Sequence, residues 1–454
     1  MIAAAATLVA IALVVATPPL FGWSIQMWRA AGLTLITIAA WALGVLPHGA
    51  IAAGYLALAI AFGVGTFDDV LAGLRSSVFW LVAAGMLIGF AIAHTGLGER
   101  VARRSVALVG GSYVGILAGV ATAGALLAFI VPSSMGRVLT LVPIAVAIAD
   151  RCGLDPRSDG RAGLVIVAAT ACFLPAGAVL TGLMPNVLLA SAADANYGLD
   201  IAYARYLWLH FPVMGLLRTC AIVLVATMMF RPASIAPTAL EDARGSARAS
   251  GAERFLGGLL IVTLALWVSD GWHGIAPGWV AVAAACVLLL GGRRVVPLAA
   301  LVRRFDFGAL LYVLAVVAMG RIIVESGLAT HAGDWLVSVL PLGANSAQDI
   351  YVLSCLSAVI GLLVTNPVVP AVLSPLAGPF ASASGLSVEA VLMTQAVGFS
   401  NVVLPYQASP VLVAMLMSGT PVVACARFTL ALTLVSFVVL LPLEIMWWRL
   451  LGLF

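Results

Sequence analysis

Apolar stretches of about 16 to 25 residues recur from one end of this chain to the other, and a helix needs roughly 20 such residues to cross a bilayer's hydrocarbon core. Backbone groups left unpaired in lipid cost several kcal/mol, so a spanning chain must be helical or form a closed barrel. The 454 residues are 63% hydrophobic and 9% charged. A soluble domain is nearer half apolar and about a quarter charged. The sequence therefore predicts an all-α polytopic membrane protein whose principal surroundings are the lipid bilayer.

All 22 basic residues are arginine and the formal net charge is +4. In such a chain, positive charge fixes topology and gives no reason to expect nucleic acid. The six cysteines show no spacing that points to a disulfide framework or a metal site, and no cofactor is expected. The first residues, MIAAAATLVAIALVVATPPL, lack a basic leader and read as a retained helix rather than a cleaved signal.

Full spans are expected near 2–20, 31–46, 50–65, 77–95, 163–190, 207–230, 255–270, 275–291, 307–327, 389–418 and 423–450. Two pairs of shorter arms, 114–131 with 138–149 and 350–364 with 368–381, flank polar breaks. Arms too short to span that meet at a polar break read as re-entrant hairpins. The polar run 231–254 reads as a cytoplasmic linker. If each hairpin returns to its own side, most loop arginines, among them Arg100, Arg103, Arg151 and Arg303, fall inside. Only Arg29, Arg75, Arg205 and Arg449 fall outside, in keeping with the positive-inside rule. The N-terminus is then cytoplasmic and the C-terminus periplasmic. The short loops point to a bacterial inner membrane.

The two halves resemble each other. Thr95-Gly96-Leu97 matches Ser326-Gly327-Leu328, and Ser133-Ser134-Met135 matches Thr365-Asn366-Pro367. Pro143 then falls on Pro375, and Pro185 on Pro410. With the first hairpin entering from inside and the second from outside, this is an inverted repeat. Corresponding breaks in two such halves are the best sequence pointer to a transporter's binding site. Five units are expected: first scaffold helices 1–110, a first transport half 111–230, the linker 231–254, second scaffold helices 255–345, and a second transport half 346–454.

Broken helices expose carbonyls and N–H groups inside the membrane, tolerated only in protein or around a wet cavity. Carbonyl, Ser, Thr and Asn oxygens suit a hard cation such as sodium, and helix N-termini suit an anion. One cation site is expected at Ser133, Ser134 and Gly182, beside Thr181. A second is expected at Thr365, Asn366, Gln407 and Ala408, with one small anion between the hairpin tips. Packing kinks are the bland reading of each break. Arg137, a charge at membrane depth, either contacts an anion, pairs with a tip carbonyl, or snorkels to the surface. Arg321 and Glu325, four apart on one helix face, are expected to pair, and Arg218 to be structural.

These residues resemble the divalent anion/sodium symporter family, carriers of di- and tricarboxylates and sulfate. Its Ser-Asn-Thr signatures fall on Ser133-Ser134-Met135 and Thr365-Asn366-Pro367. One branch extends the first signature to Pro-Ser-Asn-Thr-Ala-Arg, which is similar to Pro132 through Arg137. The Thr-Pro-Pro-Asn of its broken helices resembles Leu183-Met184-Pro185-Asn186 and Ala408-Ser409-Pro410-Val411. The resemblance implies eleven spans, two hairpins, a homodimer and an elevator mechanism. It implies substrate contacts at Ser133, Ser134, Met135, Arg137, Pro185, Asn186, Thr365, Asn366, Pro367, Ser409 and Pro410. Sodium-coupled symport of a small anion is the expected function, with anion exchange as the alternative. A channel is less expected, because channels repeat one filter around an axis. An intramembrane enzyme is the distant alternative, since no HExxH, CxxC or GxSxG pattern is present.

Overall fold

The computed structural model describes residues 17–19, 22–109, 112–232, 249–291 and 295–454. Among them every regular element is helical. The first half holds α1 (Ile25–Ala42), α2 (His48–Ala61), α3 (Phe67–Arg75), α4 (Ser77–Thr95), α5 (Leu97–Val109), α6 (Tyr113–Ile130) and α7 (Ser134–Arg151). It continues with α8 (Asp159–Ala171), α9 (Met184–Tyr197), α10 (Tyr203–His210) and α11 (Arg218–Met229). A π-helical segment, Phe211–Leu217, joins the last two.

The second half holds α12 (Gly251–Val268), α13 (Asp270–His273), α14 (Pro277–Gly291), α15 (Leu298–Arg304), α16 (Phe307–Glu325), α17 (Leu328–Val339) and α18 (Ser346–Val364). Then come α19 (Val369–Leu373), α20 (Ala377–Ser384), α21 (Val388–Phe399), α22 (Ser409–Ser418), α23 (Val422–Val435) and α24 (Leu441–Leu450). A second π-helical segment, Ser436–Leu440, joins α23 to α24.

The order of elements recurs. α4 ends at Gly96 and α16 just before Gly327, both left-handed at φ 76° and 81°, where glycine carries no Cβ penalty. Each is followed by a short helix (α5, α17) and a hairpin. Then each half has a helix broken by irregular chain and a long helix with a π segment.

Several boundaries differ from the sequence reading. The first hairpin's arms are α6 and α7, 18 residues each. The outgoing arm of the second, α18, has 19. α6 and α18 are long and apolar enough to cross by length and composition, so shortness does not mark them as re-entrant. α7 and α18 are longer than the expected arms because Ser133 and Asn345 cap them early, accepting from Gly136 N and Gln348 N. Of the polar "SSMGR", Ser134 to Arg137 form the first turn of α7; only Val131, Pro132 and the capping Ser133 turn the chain. The expected arm 368–381 is split into short helical pieces, with Pro367, Pro370 and Pro375 in the first turns of successive pieces. α12 starts at Gly251, inside the expected linker, because Ser250 and Glu253 form a capping box. The expected first span and the linker's middle (233–248) lie largely or wholly outside the described residues.

Packing rests on small residues that let backbones approach. A Cβ on Gly278 of α14 would lie 1.8 Å from Ser77 O of α4. One on Gly49 of α2 would lie 2.3 Å from Gly308 Cα of α16. The two halves interlock: α9 packs on α19 and α21, while α22 packs on α7 and α8. The helix that follows each break thus rests on the other half's hairpin or broken helix.

Gly278→Val should destabilise the protein by about 1–3 kcal/mol, the usual cost of overpacking. Thermal unfolding in detergent, followed by size-exclusion chromatography, checks this; an unchanged midpoint would contradict the α4–α14 contact.

Candidate functional site

A cavity of about 1400 Å³ opens beside the first hairpin tip. Ser133, Ser134 and Met135 line it, together with Thr181 of the first break. Pro132 packs over Gly85 and Gly89 of α4, where a Cβ would meet it at 3.5 and 4.0 Å. Arg100, Arg103, Arg151 and Glu253 also line the cavity. Arg100 Nε and Nη2 donate to Glu253 at 2.9 and 3.0 Å, and Arg103 pairs with Glu99. Arg151 has no ion pair among the described residues, and Asp306 brings the acidic residues of the lining, with Glu99 and Glu253, level with its three arginines.

Ser133 is the N-cap of α7, its Oγ accepting from Gly136 N at 3.1 Å. Beneath it Arg137 is wholly buried and does not snorkel. Its Nε donates to Cys172 O at 2.8 Å and its Nη2 to Gly182 O at 2.8 Å. Nη1 donates to Val131 O. The carbonyls freed by the tip and by the first break therefore meet a guanidinium. Hydrogen bonds to a charged group are worth about 1.5–3 kcal/mol each, and together they offset the cost of burying the charge.

The first break runs over residues 172–183 and holds a 3-10 turn, Pro175–Ala178. Asn186 Nδ2 is its internal tie, lying 3.2, 3.2 and 2.7 Å from the carbonyls of Ala176, Gly177 and Val179. Gly182 admits no side chain, because a Cβ would lie 2.5 Å from Ala176 O. Pro185 sits buried in the first turn of α9.

The second tip is closed on itself. Asn366 is buried; its Nδ2 donates to Asn401 O at 2.9 Å. Its Oδ1 accepts from Gln407 Nε2 at 3.2 Å. Gln407 Oε1 accepts from Val403 N and Leu404 N at 2.7 and 2.8 Å. Ala408 N donates to Pro405 O at 3.3 Å, and Tyr312 Oη donates to Pro367 O at 3.2 Å. Thr365 holds φ 73° and ψ 151°, the one positive φ outside glycine among the described residues. That conformation costs on the order of 1–3 kcal/mol for a residue with a Cβ.

The structure thus brings Ser133, Ser134 and Met135 to one cavity with Thr181. It gathers Asn366 and Gln407 into a separate buried network beside Thr365 and Pro367. Gly182 O, expected to face a cation, accepts from Arg137 instead. Ser409 and Pro410 open α22, Ser409 being exposed. Arg321 does pair with Glu325, Nη2 to Oε1 at 2.7 Å, and it also reaches Asp69 at 3.2 Å.

Sequence reasoning missed what holds the two breaks together. A Cβ on Gly177 of the first would lie 2.3 Å from Ser400 Cβ of the second. Arg218, fully buried, donates through Nη1 to Ser400 Oγ at 2.9 Å. The same nitrogen lies 3.3 Å from Ser400 O and 3.5 Å from Leu174 O. A charge inside an apolar segment was the available signal, but its partners are far away in sequence.

The transmembrane-region model of the sodium:sulfate symporters matches residues 1–454. The chain belongs to that family. A membrane protein of Cupriavidus necator is 25% identical over 414 residues, 84% of this chain and 76% of that one. Dicarboxylate transporter 1 of spinach (Spinacia oleracea) chloroplasts is 25% identical over 330 residues, 70% of this chain and 58% of that one. Dicarboxylate transporter 2.2 of Arabidopsis thaliana chloroplasts is 28% identical over 187 residues, 40% of this chain and 34% of that one. The solved structure of the Alcanivorax borkumensis YdaH transporter superposes with a TM-score of 0.57 at 18% identity, over 99% of this chain and 96% of that chain. That likeness concerns the fold alone. The family and the two relatives named as dicarboxylate transporters are transporters rather than enzymes.

Thr365→Gly should leave the protein as stable or more stable, because glycine adopts this backbone freely. Thr365→Val should destabilise it. Equal melting temperatures for Thr, Gly and Val would remove the strain from the account.

Proposed function

We propose that the chain is a secondary active carrier of small organic or inorganic anions of the di/tricarboxylate or sulfate class. The observation that supports it most is the first tip: a capped helix N-terminus and two serines facing a cavity, backed by a buried arginine. Helix N-termini and fixed positive charge both favour an anion. The relatives named as dicarboxylate transporters support the same class.

For coupling, the family description favours sodium symport, with sodium held at the two tips. The arrangement at Arg137 favours anion exchange. A fixed guanidinium, not a mobile ion, answers the carbonyls of Val131 and Gly182. At the second tip Asn366 and Gln407 answer each other. A carrier whose compensating charge is built in cannot return empty without leaving that charge unbalanced, which makes exchange obligatory.

The moving unit in this reading comprises both hairpins, both broken helices and the two long helices with π segments. It slides as an elevator against a scaffold of the remaining helices in a homodimer, within a bacterial inner membrane. The cavity is lined by Arg100, Arg103, Arg151 and Glu253, which lie on segments that the arginine distribution assigns to the cytoplasm. The conformation described is then inward-open.

Purified protein in liposomes tests this. Uptake of labelled succinate, citrate or sulfate should require unlabelled anion inside and be indifferent to a sodium gradient. Uptake driven by sodium with no internal anion would restore symport, and no flux with any anion would remove the carrier reading. Arg137→Ala should abolish flux and destabilise the fold by about 3–5 kcal/mol, the cost of breaking a buried charge network. Arg137→Lys should retain more stability than Arg137→Ala.

Access to the first tip is a separate expectation. With exposed Cys220 and Cys286 replaced, a cysteine at Ser133 should react with an impermeant maleimide from the cytoplasmic side. Exclusive reaction from the outside would reverse the orientation.

A further inference from the structure

Behind the two breaks lies a group of polar residues that the carrier reading does not use. His210 ends α10 and Glu444 lies in the first turn of α24, 1% and 0% exposed. His210 Nδ1 is 3.0 Å from Glu444 Oε1. The other ring nitrogen, Nε2, faces Met393 Sδ of α21 at 3.4 Å. Glu444 Oε2 is buried and has no hydrogen-bond partner among the described residues. The nearby Trp448 indole is spent on Leu209 O at 3.1 Å. Each residue sits beside one of the two π segments, a distortion frequent at functional sites. Intramembrane ionisable residues are themselves functional candidates by default.

Counting protons shows why the pair is poised. A thioether only accepts, and weakly. With two protons on the pair, Nε2–H meets the sulfur and the second proton lies between Nδ1 and Oε1. The hydrogen bonding is then complete but for Oε2, and the pair is neutral. With one proton, Nδ1–H donates to a carboxylate and the Nε2 lone pair faces sulfur without a donor. The pair then carries −1, and that charge complements Arg218, which begins α11 directly after the π segment that follows His210. Hydrogen bonding favours the first state and charge balance the second.

Arg218 also holds the second break at Ser400 and lies beside the first at Leu174. We propose that the His210–Glu444 pair is a proton-binding site, and that its occupancy sets how much of the Arg218 charge is felt at the breaks. With the second proton bound, Arg218 is uncompensated and the breaks favour an anion. With the proton gone, Glu444 neutralises it. Anion binding should therefore tighten as pH falls, and by linkage an anion should draw in a proton.

Other groups around the pair are accounted for. Tyr206, on the histidine's own helix, donates to Gly177 O at 2.8 Å. Glu389, on α21 with Met393, pairs with Arg205. Asp270 accepts from Tyr203 N and Ala204 N at the start of α10. From α18, Tyr351 donates to Phe437 O at 3.1 Å, and Asp349 accepts from Gly343 N at 3.0 Å.

The link to anion affinity rests on the carrier reading; the proton site does not, so the two are tested apart. For the site, infrared difference spectra of the purified full chain with carboxyl-labelled glutamate are recorded between about pH 5 and pH 8, the range in which histidine switches. A buried glutamic-acid band that titrates, and that is lost in Glu444→Gln or shifted in His210→Gln, is expected. The absence of any such titration in the unmodified chain overturns the site whether or not the variants fold, and so does a band that both folded variants keep unchanged. For the link, sulfate, a dianion throughout this range, is the binding probe, with succinate as a second. Affinity should rise by up to about tenfold per pH unit of acidification, the limit for one linked proton, and lose this dependence in Glu444→Gln. A titrating site with pH-independent binding of an anion that does bind overturns the link alone. No binding of either anion at any pH counts against the carrier reading instead.

Discussion

Every interrupted helix in a membrane leaves backbone groups that water cannot reach, and this fold is organised around answering them. The two breaks lie against each other, Gly177 on Ser400, so closely that Gly177 has no room for a side chain. Arg137 takes the carbonyls on the first tip's side, Asn186 those within the first break, and Gln407 the N–H groups of the second. Arg218 spans both. Four polar side chains thus do for the interior what solvent does for a surface loop. Their charge makes that interior positive, which connects the demands of the backbone to the kind of molecule the site favours.

The two halves solve the same problem differently. On the first side the answer to the carbonyls is a permanent charge. On the second it is a neutral amide pair, Asn366 with Gln407, next to a threonine held in a backbone region suited to glycine. The first tip faces an open cavity; the second is sealed by its own hydrogen bonds. The two tips are thus asymmetric, with the strained residue on the closed side.

Much of this was legible in the sequence because proline, glycine and serine interrupt apolar runs conspicuously. The hairpin turns, the breaks at Thr181-Gly182 and Gln407-Ala408, and the glycine stops at Gly96 and Gly327 all show in the local pattern. So did the Arg321–Glu325 pair, four residues apart. Partnerships between distant residues were not legible. Nothing near Arg137 announces that Cys172 and Gly182 will accept its protons. His210 and Glu444 are separated by 234 positions and lack any shared motif. Two arm lengths were underestimated for a different reason: capping by Ser133 and Asn345 recruits polar residues into helices that hydropathy alone ends early.

The crossed packing of α9 on the second hairpin's return and α22 on the first hairpin has a consequence for biogenesis. Neither half can bury the limb that follows its own break alone, so a ribosome-bound chain that has delivered only the first half holds an unfinished core. Contacts across such sequence distances form slowly because the loop entropy is lost before the contacts reward it. The N-terminal half must therefore wait in the bilayer with α9 short of its packing partners. The insertion machinery, or lipid-embedded chaperones, would have to shelter it until the C-terminal half arrives.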